Sequence, residues 1–258
     1  MRFRTTLAFA AIAACFALQA TTAHAAIVVG SEASELLFGH DDDSVNDPEI
    51  QPPGTAADQS LDFADVIEGL GGHDVLIGLL GSDVMLGGPG NDVLVGGTEQ
   101  TTRPNSDMQF GGPGNDVAVW AGGDGSDLFD GGPGQSDALV FGTIDKVNNI
   151  PVISAATGNY RNTGLPTANV TGQGGFCRID RVGDPVERGF DFLVRFFSRA
   201  SGALLVTIRT RDVEQVFCTS EAGGAITYAD LTAPDPELVE VSLDDVARIN
   251  PTVRAIIR

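Results

Sequence analysis

The sequence predicts an all-β protein whose first half is built from short repeated strands and whose second half has longer, unrepeated ones. Three observations favour this fold class. A nine-residue pattern recurs through residues 69–140. Each copy closes on a short apolar run, as in GGPGNDVLV at residues 87–95. Beyond residue 142 the pattern stops, and apolar-rich runs at 190–198 and 203–211 flank the turn sequence RASG, which indicates an antiparallel hairpin.

The repeats are ordered by the aspartate at their sixth position. Regular copies begin at residues 69, 78, 87, 111 and 122, whereas the copies at 96–110 and 131–140 carry insertions. A degenerate copy precedes them at Asp65, and another begins at Gly30. The sixth-position residues of the seven main copies are Asp74, Asp83, Asp92, Asp107, Asp116, Asp127 and Asp137.

Each position of the repeat has a physical role. Glycines at the first, second and fourth positions permit positive φ and tight turns with inward carbonyls. The last three residues form a short strand whose eighth position points into the core. These predicted core residues are Leu76, Met85, Leu94, Ala118, Phe129 and Leu139. Gln109 replaces the apolar residue in the interrupted copy.

The pattern GGxGxDxUx resembles the hemolysin-type calcium-binding nonapeptide of the RTX family over roughly residues 60–142. The resemblance implies a right-handed parallel β-roll that binds Ca²⁺ between stacked turns. Since two copies make one coil, Asp74, Asp92, Asp116 and Asp137 should share one edge, and Asp83, Asp107 and Asp127 the other. Carbonyl ligands implied by the family are those of Gly88, Gly90, Gly112, Gly114, Gly123 and Gly125. The alternative is that these aspartates only cap loops.

Charge is concentrated in the repeat half. The chain has a formal net charge of −20, and residues 26–142 hold 21 acidic residues and one basic residue. Such a density of carboxylates repels itself without counter-ions, so this half should be loosely folded until cations bind. It also argues against nucleic acid or an anionic membrane as a partner.

The amino terminus indicates export. Residues 1–25 combine Arg2 and Arg4 with an apolar run and end in Ala-His-Ala, which predicts a cleaved secretory signal and a periplasmic or extracellular protein. A lipoprotein signal with Cys15 as the lipidated residue is the alternative. The predicted organisation is then a cap and acidic loop at 26–59, the roll at 60–142, and a β-rich region at 143–258. No second segment is suited to cross a bilayer.

Two cysteines remain after the predicted cleavage, Cys177 and Cys218. An even pair in an exported chain favours a disulfide. A thiol nucleophile or a metal ligand is the rival interpretation, but only His40 and His73 are available beside them.

One face of the predicted roll is unusually apolar. The seventh and ninth positions of alternate copies should point outward, yet they are valine-rich, as at Val93, Val95, Val117 and Val119. An exposed patch of this kind is an aggregation hazard. We therefore expect the C-terminal region, or an identical subunit, to pack against this sheet.

Three classes of function fit the sequence. The first is an exported, non-enzymatic calcium-binding protein that folds or rigidifies on binding. The second is a calcium-stabilised surface or matrix interaction module resembling an adhesin, with self-association or a cell-surface partner. The third, the accessory part of a secreted hydrolase, is disfavoured because the sequence has no HExxH and no GxSxG motif. We assign no catalytic residue and no organic cofactor.

Overall fold

The structure is a computed structural model that describes residues 27–39, 65–97, 106–147, 150–154, 156–183 and 185–258. The predicted signal segment, Cys15 and the acidic loop from His40 to Gln59 lie outside these residues. Most of the described strands belong to two eight-stranded sheets. No helix among the described residues is long and apolar enough to span a membrane.

Ten short strands alternate between the two sheets in chain order. They are β1 (Ile27–Val29), β2 (Leu36–Phe38), β3 (Val66–Glu68), β4 (Val75–Leu79), β5 (Val84–Leu86), β6 (Val93–Gly97), β7 (Met108–Phe110), β8 (Val117–Trp120), β9 (Leu128–Asp130) and β10 (Ala138–Phe141). The odd-numbered strands form the first sheet and the even-numbered strands the second. Neighbours in each sheet are parallel, with Val75 beside Val93 and Val84 beside Met108. Two successive copies therefore make one coil of a parallel β-roll, as predicted.

The space between the sheets is filled by the eighth position of each repeat. The predicted core residues Leu76, Met85, Leu94, Ala118, Phe129 and Leu139 are all buried. Burying these side chains stabilises each coil, because a fully buried Leu or Phe contributes about 1.5–3 kcal/mol. Gln109 occupies the same position in its coil and is also buried.

The second half supplies six further strands that extend both sheets. They are β15 (Gly175–Arg181), β16 (Phe192–Ser198), β17 (Leu204–Arg211), β18 (Gln215–Thr219), β19 (Ile226–Asp230) and β20 (Val239–Val241). β17 joins β9 in parallel, and β18 joins β10 in parallel. The remaining pairings are antiparallel, including the predicted hairpin of β16 and β17. Both sheets thus continue from the repeats into the C-terminal half.

A further layer covers the outer face of the second sheet. Its elements are β11 (Thr143–Ile144), a 3₁₀ turn (Gly158–Tyr160), β14 (Ala168–Asn169), α2 (Leu243–Ile249) and α3 (Pro251–Ile256). A separate two-stranded hairpin of β12 (Lys146–Val147) and β13 (Ile150–Pro151) follows β11 in the chain. A short helix, α1 (Pro185–Arg188), precedes β16. Val93, Val95, Val117 and Val119 are fully buried and share a cluster with Leu165, Val246 and Ile256. The predicted cover of the valine-rich sheet is therefore confirmed, and this chain itself provides it.

The two sheets are also joined covalently. Cys177 in β15 of the first sheet is bonded to Cys218 in β18 of the second, with their Cα atoms 6.2 Å apart. The predicted disulfide pairing is confirmed. Both cysteines are buried in the cluster that contains Phe129 and Leu139, so the bridge lies inside the extended roll.

Candidate metal centre

The turns that lead into the second sheet stack their aspartates in a row. Each Oδ1 accepts a hydrogen bond from the backbone N–H of the corresponding residue in the previous coil. The N···O distances are 2.7 Å from Glu35 to Asp74, 2.8 Å from Asp74 to Asp92, 2.6 Å from Asp92 to Asp116, and 2.6 Å from Asp116 to Asp137. The row ends where the Asp137 N–H donates to Oε2 of Glu214 at 2.8 Å. We call this set the first aspartate row.

The turns that lead into the first sheet form a second aspartate row by the same contacts. The N–H of Asp65 donates to Asp83, that of Asp83 to Asp107, and that of Asp107 to Asp127, at 2.8, 2.8 and 2.9 Å. The structure thus places the seven predicted aspartates on the two edges that the repeat spacing assigns to them. All seven are buried.

In most of these aspartates the second carboxylate oxygen lacks a donor. Within the described residues, the buried Oδ2 atoms of Asp74, Asp83, Asp92, Asp116 and Asp137 accept no hydrogen bond. Burial raises the pKa of Asp83 and Asp116 to about 9, and that of Asp92 and Asp137 to about 7. A buried carboxylate without a donor is unfavourable unless a proton or a cation neutralises it.

The donor-free oxygens face backbone carbonyls across the space left by the first glycine of each repeat. A methyl group at Gly87 would lie 2.5 Å from Oδ2 of Asp92 and 2.6 Å from the carbonyl oxygen of Gly111. At Gly69 the corresponding distances are 2.7 Å to Asp74 and 2.5 Å to the carbonyl of Gly87. Glycine is required at this position because any side chain would displace these oxygens.

The carbonyls in these spaces only partly match those implied by the family. The carbonyl oxygens that face Oδ2 of Asp74, Asp83 and Asp92 belong to first-position glycines, namely Gly87, Gly96 and Gly111 respectively. The family resemblance did not predict these three glycines as ligands. The predicted Gly114 does face Oδ2 of Asp137. The carbonyls of Gly88, Gly90 and Gly112 point at the glycines of the next coil, at Gly112, Gly114 and Gly132 respectively. Gly123 holds a positive φ of 114° in its turn.

The carbonyl of Gly125 is already in use. It accepts a 3.0 Å hydrogen bond from Nε1 of Trp120, so this predicted ligand has a different partner in the structure. The same turn brings Asp124 inside the roll, where carboxylate oxygens of Asp107, Asp124 and Asp127 lie within 4.8 Å of one another. Asp124 occupies the variable third position, and for that reason the repeat pattern did not mark it.

The fifth position of the repeat also carries a ladder that the sequence analysis did not identify. Side chains of Ser34, His73, Asn91 and Asn115 each accept a hydrogen bond from a backbone N–H of the next coil, at 2.9–3.1 Å. The sequence did contain a signal for this ladder, because the fifth position holds Ser, His or Asn in the described copies. The two glutamates that end the first aspartate row, Glu35 and Glu214, were missed as well.

Residues 61–97 match the model of the RTX calcium-binding nonapeptide repeat in four copies. The chain contains RTX calcium-binding nonapeptide repeats. No curated protein and no solved structure matches the chain. RTX repeats bind calcium, and the donor set of this chain fits that ion, because Ca²⁺ takes carboxylate and carbonyl oxygens in flexible geometry.

Proposed function

We propose that this protein is an exported, non-enzymatic calcium-binding protein whose two aspartate rows hold Ca²⁺ between stacked turns. Asp74, Asp92, Asp116 and Asp137 supply carboxylates on one edge, and Asp83, Asp107 and Asp127 supply them on the other. The ion contributes the positive charge that the rows lack, and the roll becomes ordered or rigid when calcium binds.

One observation carries the proposal: in the described part of the chain, the buried Oδ2 atoms of Asp74, Asp83 and Asp92 accept no hydrogen bond and face carbonyl oxygens. Turn aspartates that merely cap loops would direct both carboxylate oxygens to N–H groups or to water. Here only Oδ1 does so. The loop-capping interpretation therefore explains one half of each carboxylate, whereas calcium binding explains both.

A calcium titration of the purified protein tests the proposal. We expect the far-ultraviolet circular dichroism signal of β structure to grow with calcium and to fall again with chelator. Calorimetry should give binding in the range of about 10⁻⁴ to 10⁻³ M that extracellular calcium modules show. A protein whose β signal ignores both calcium and chelator would contradict the proposal.

Substitution of one aspartate of the first row tests whether calcium binds at that row. Asp92→Asn keeps an oxygen for the N–H of Asp74 but removes a charge, so the calcium midpoint should rise by roughly tenfold. Asp235→Asn is the matched control, because Asp235 is exposed and lies outside both rows. Equal midpoints for the two variants would show that the row does not bind the ion.

Two sequence features support the export and the lack of enzymatic activity. The amino-terminal segment fits a secretory signal, and the sequence contains no HExxH or GxSxG motif. Fractionation of cells that produce the full chain, with amino-terminal sequencing of the product, tests the first point. A hydrolase activity screen with and without calcium tests the second.

The outer face of the first sheet favours a second candidate, a calcium-stabilised surface interaction module. Ile27 is 74% exposed, Val29 54% and Met108 44%, and all three lie on the same sheet. Apolar side chains that share an exposed face often mark an interaction surface. Calcium-dependent binding to intact cells that is lost in Met108→Asp would support this function.

A further inference from the structure

The first aspartate row does not stop at the last repeat. β18 continues the second sheet in parallel, with Gln215 beside Ala138, and this register places Glu214 beside Asp137. The backbone N–H groups of Glu214 and Gln215 both donate to the carbonyl of Asp137 at 3.0 Å. Glu214 therefore takes the sixth position of a coil that the C-terminal half supplies, 77 residues after Asp137 in the chain.

The junction leaves a buried carboxylate oxygen without a donor. Asp137 is completely buried, and no donor in the described ranges reaches its Oδ2. The carboxylate of Glu214 lies beside it, with Oε2 2.8 Å from the backbone nitrogen of Asp137. The guanidinium of Arg211 is paired with Asp130, and its Nε lies 3.9 Å from a carboxylate oxygen of Asp212. Two adjoining carboxylates repel each other unless a cation or a proton lies between them.

A carbonyl from the C-terminal half completes the oxygen set. Asp212 has a φ of 50°, which is rare for a residue other than glycine. In this conformation its carbonyl oxygen lies in the space at Gly131, beside Cβ and Cγ of Asp137, while Oδ2 of Asp137 faces the carbonyl of Gly114. The carbonyl of Gly111 holds the corresponding place at Gly87. The backbone of Asp212 thus substitutes for a repeat glycine.

The covering helices meet the same turn. Asn250, which separates α2 from α3, donates from Nδ2 to the carbonyl of Ser136 at 3.2 Å and to Oε1 of Gln215 at 2.9 Å. Its Oδ1 caps α3 by accepting from the N–H of Val253 at 3.0 Å. One buried side chain therefore connects the last repeat, β18 and the helices at a single point.

We propose that this junction is an additional calcium site in which Asp137 of the repeats is joined by the carboxylate of Glu214 and the carbonyl of Asp212. The site rests on the proposed calcium binding of the rows, but it assigns ligands outside the repeats. Calcium bound there fastens the C-terminal half to the roll, so ion binding and the docking of β18 and the helices are coupled.

The test compares Glu214→Gln with the matched control Glu221→Gln in the purified protein. The amide of Glu214→Gln still accepts from the N–H of Asp137, so the hydrogen bond of the row is kept and only the charge is lost. Glu221 is exposed and lies outside the row. Calorimetry should show about one fewer calcium ion for Glu214→Gln and no change for Glu221→Gln.

Hydrogen exchange gives a second readout, which stays informative if Glu214→Gln lowers the stability of the whole protein. In the unmodified protein, calcium should slow exchange in β18 and in α2 and α3. Glu214→Gln should lose this effect there while β5 and β6 keep theirs. Glu214→Asp, which retains the charge on a shorter side chain, should restore part of it.

The outcomes separate the two proposals. If the unmodified protein binds no calcium, both the rows and the junction site are wrong. If it binds calcium but Glu214→Gln binds the same number of ions and protects β18 equally, only the junction site is overturned.

Discussion

At the scale of single residues, the second position of each turn shows how the roll tolerates departures from glycine. In six copies this position has positive φ, for example 95° at Gly88 and 103° at Gly112, but also 70° at Leu70 and 76° at Leu79. Leucine in this region is strained by about 1–2 kcal/mol. The two leucines differ in burial, since Leu70 is 39% exposed and Leu79 only 3%.

We therefore expect opposite effects from the same substitution. Leu70→Gly should stabilise the calcium-loaded protein by roughly 0.5–1 kcal/mol, because the strain relieved exceeds the added entropy of the unfolded chain. Leu79→Gly should destabilise it by about 2 kcal/mol or more, because it leaves a cavity under the cover. Urea unfolding measures both, and equal shifts would contradict the role given to burial.

At the scale of elements, the two sheets of the roll have outer faces in different surroundings. The seventh position of the repeat is Val93 in β6, which is fully buried under the C-terminal cover, and Met108 in β7, which is 44% exposed. Both strands have parallel neighbours on each side. Val93 and Met108 therefore have the same position in the repeat, and they differ in exposure because only the second sheet is covered.

A charged residue introduced at the seventh position tests directly whether the outer face of each sheet is covered. Val93→Asp should destabilise the protein by more than about 4 kcal/mol or prevent folding, because an unpaired charge would be buried. Met108→Asp should change stability by no more than about 0.5 kcal/mol. Thermal melts in calcium measure the difference, and tolerance of Val93→Asp would mean that the helices, β11 and β14 do not cover the second sheet in solution.

The disulfide is a second contact between elements. It links β15 to β18 and closes a loop with a sequence separation of 41. By the chain-entropy estimate, replacing Cys177 and Cys218 together with alanine should lower the free energy of unfolding by about 3–4 kcal/mol. Denaturant unfolding of the double variant checks this value. An unchanged midpoint would indicate that the bridge does not form in solution.

At the scale of the whole molecule, the buried carboxylates make stability depend on pH and calcium together. Their pKa values are raised by burial, to about 7 for Asp92 and about 9 for Asp116, from an ordinary value near 3.8. The folded calcium-free state therefore holds more protons than the unfolded state between these values. Its stability must fall as the pH rises from about 4 to 9.

Calcium should reverse this trend. We expect the calcium-free protein to melt at a lower temperature at pH 8 than at pH 5, and the calcium-loaded protein to be the more stable form at pH 8. Binding should also release protons, which calorimetry in buffers of different ionisation enthalpy detects. A calcium-free melting temperature that rises over this interval would contradict the burial of the aspartate rows.

Much of the site was predictable because its geometry follows from a local repeat. The nine-residue spacing alone places Asp92 two copies after Asp74, and the parallel register then stacks them. Glu35 was also within reach, since it fills the sixth position of the copy that begins at Gly30. Asp124 and the fifth-position ladder were not identified, because variable positions carry no fixed residue type.

The sequence by itself determined the parallel roll, the two aspartate rows, the disulfide pair and the need for a cover over the valine-rich sheet. The roll and its aspartate rows follow from the nonapeptide spacing together with the resemblance to RTX repeats, and the other two features follow from the outward valines and the cysteine count. Only the tertiary structure decided that Glu214 ends the first row and that Asn250 ties the helices to it. Such contacts join residues far apart in an unrepeated segment, where no local pattern specifies the partner and packing alone selects it.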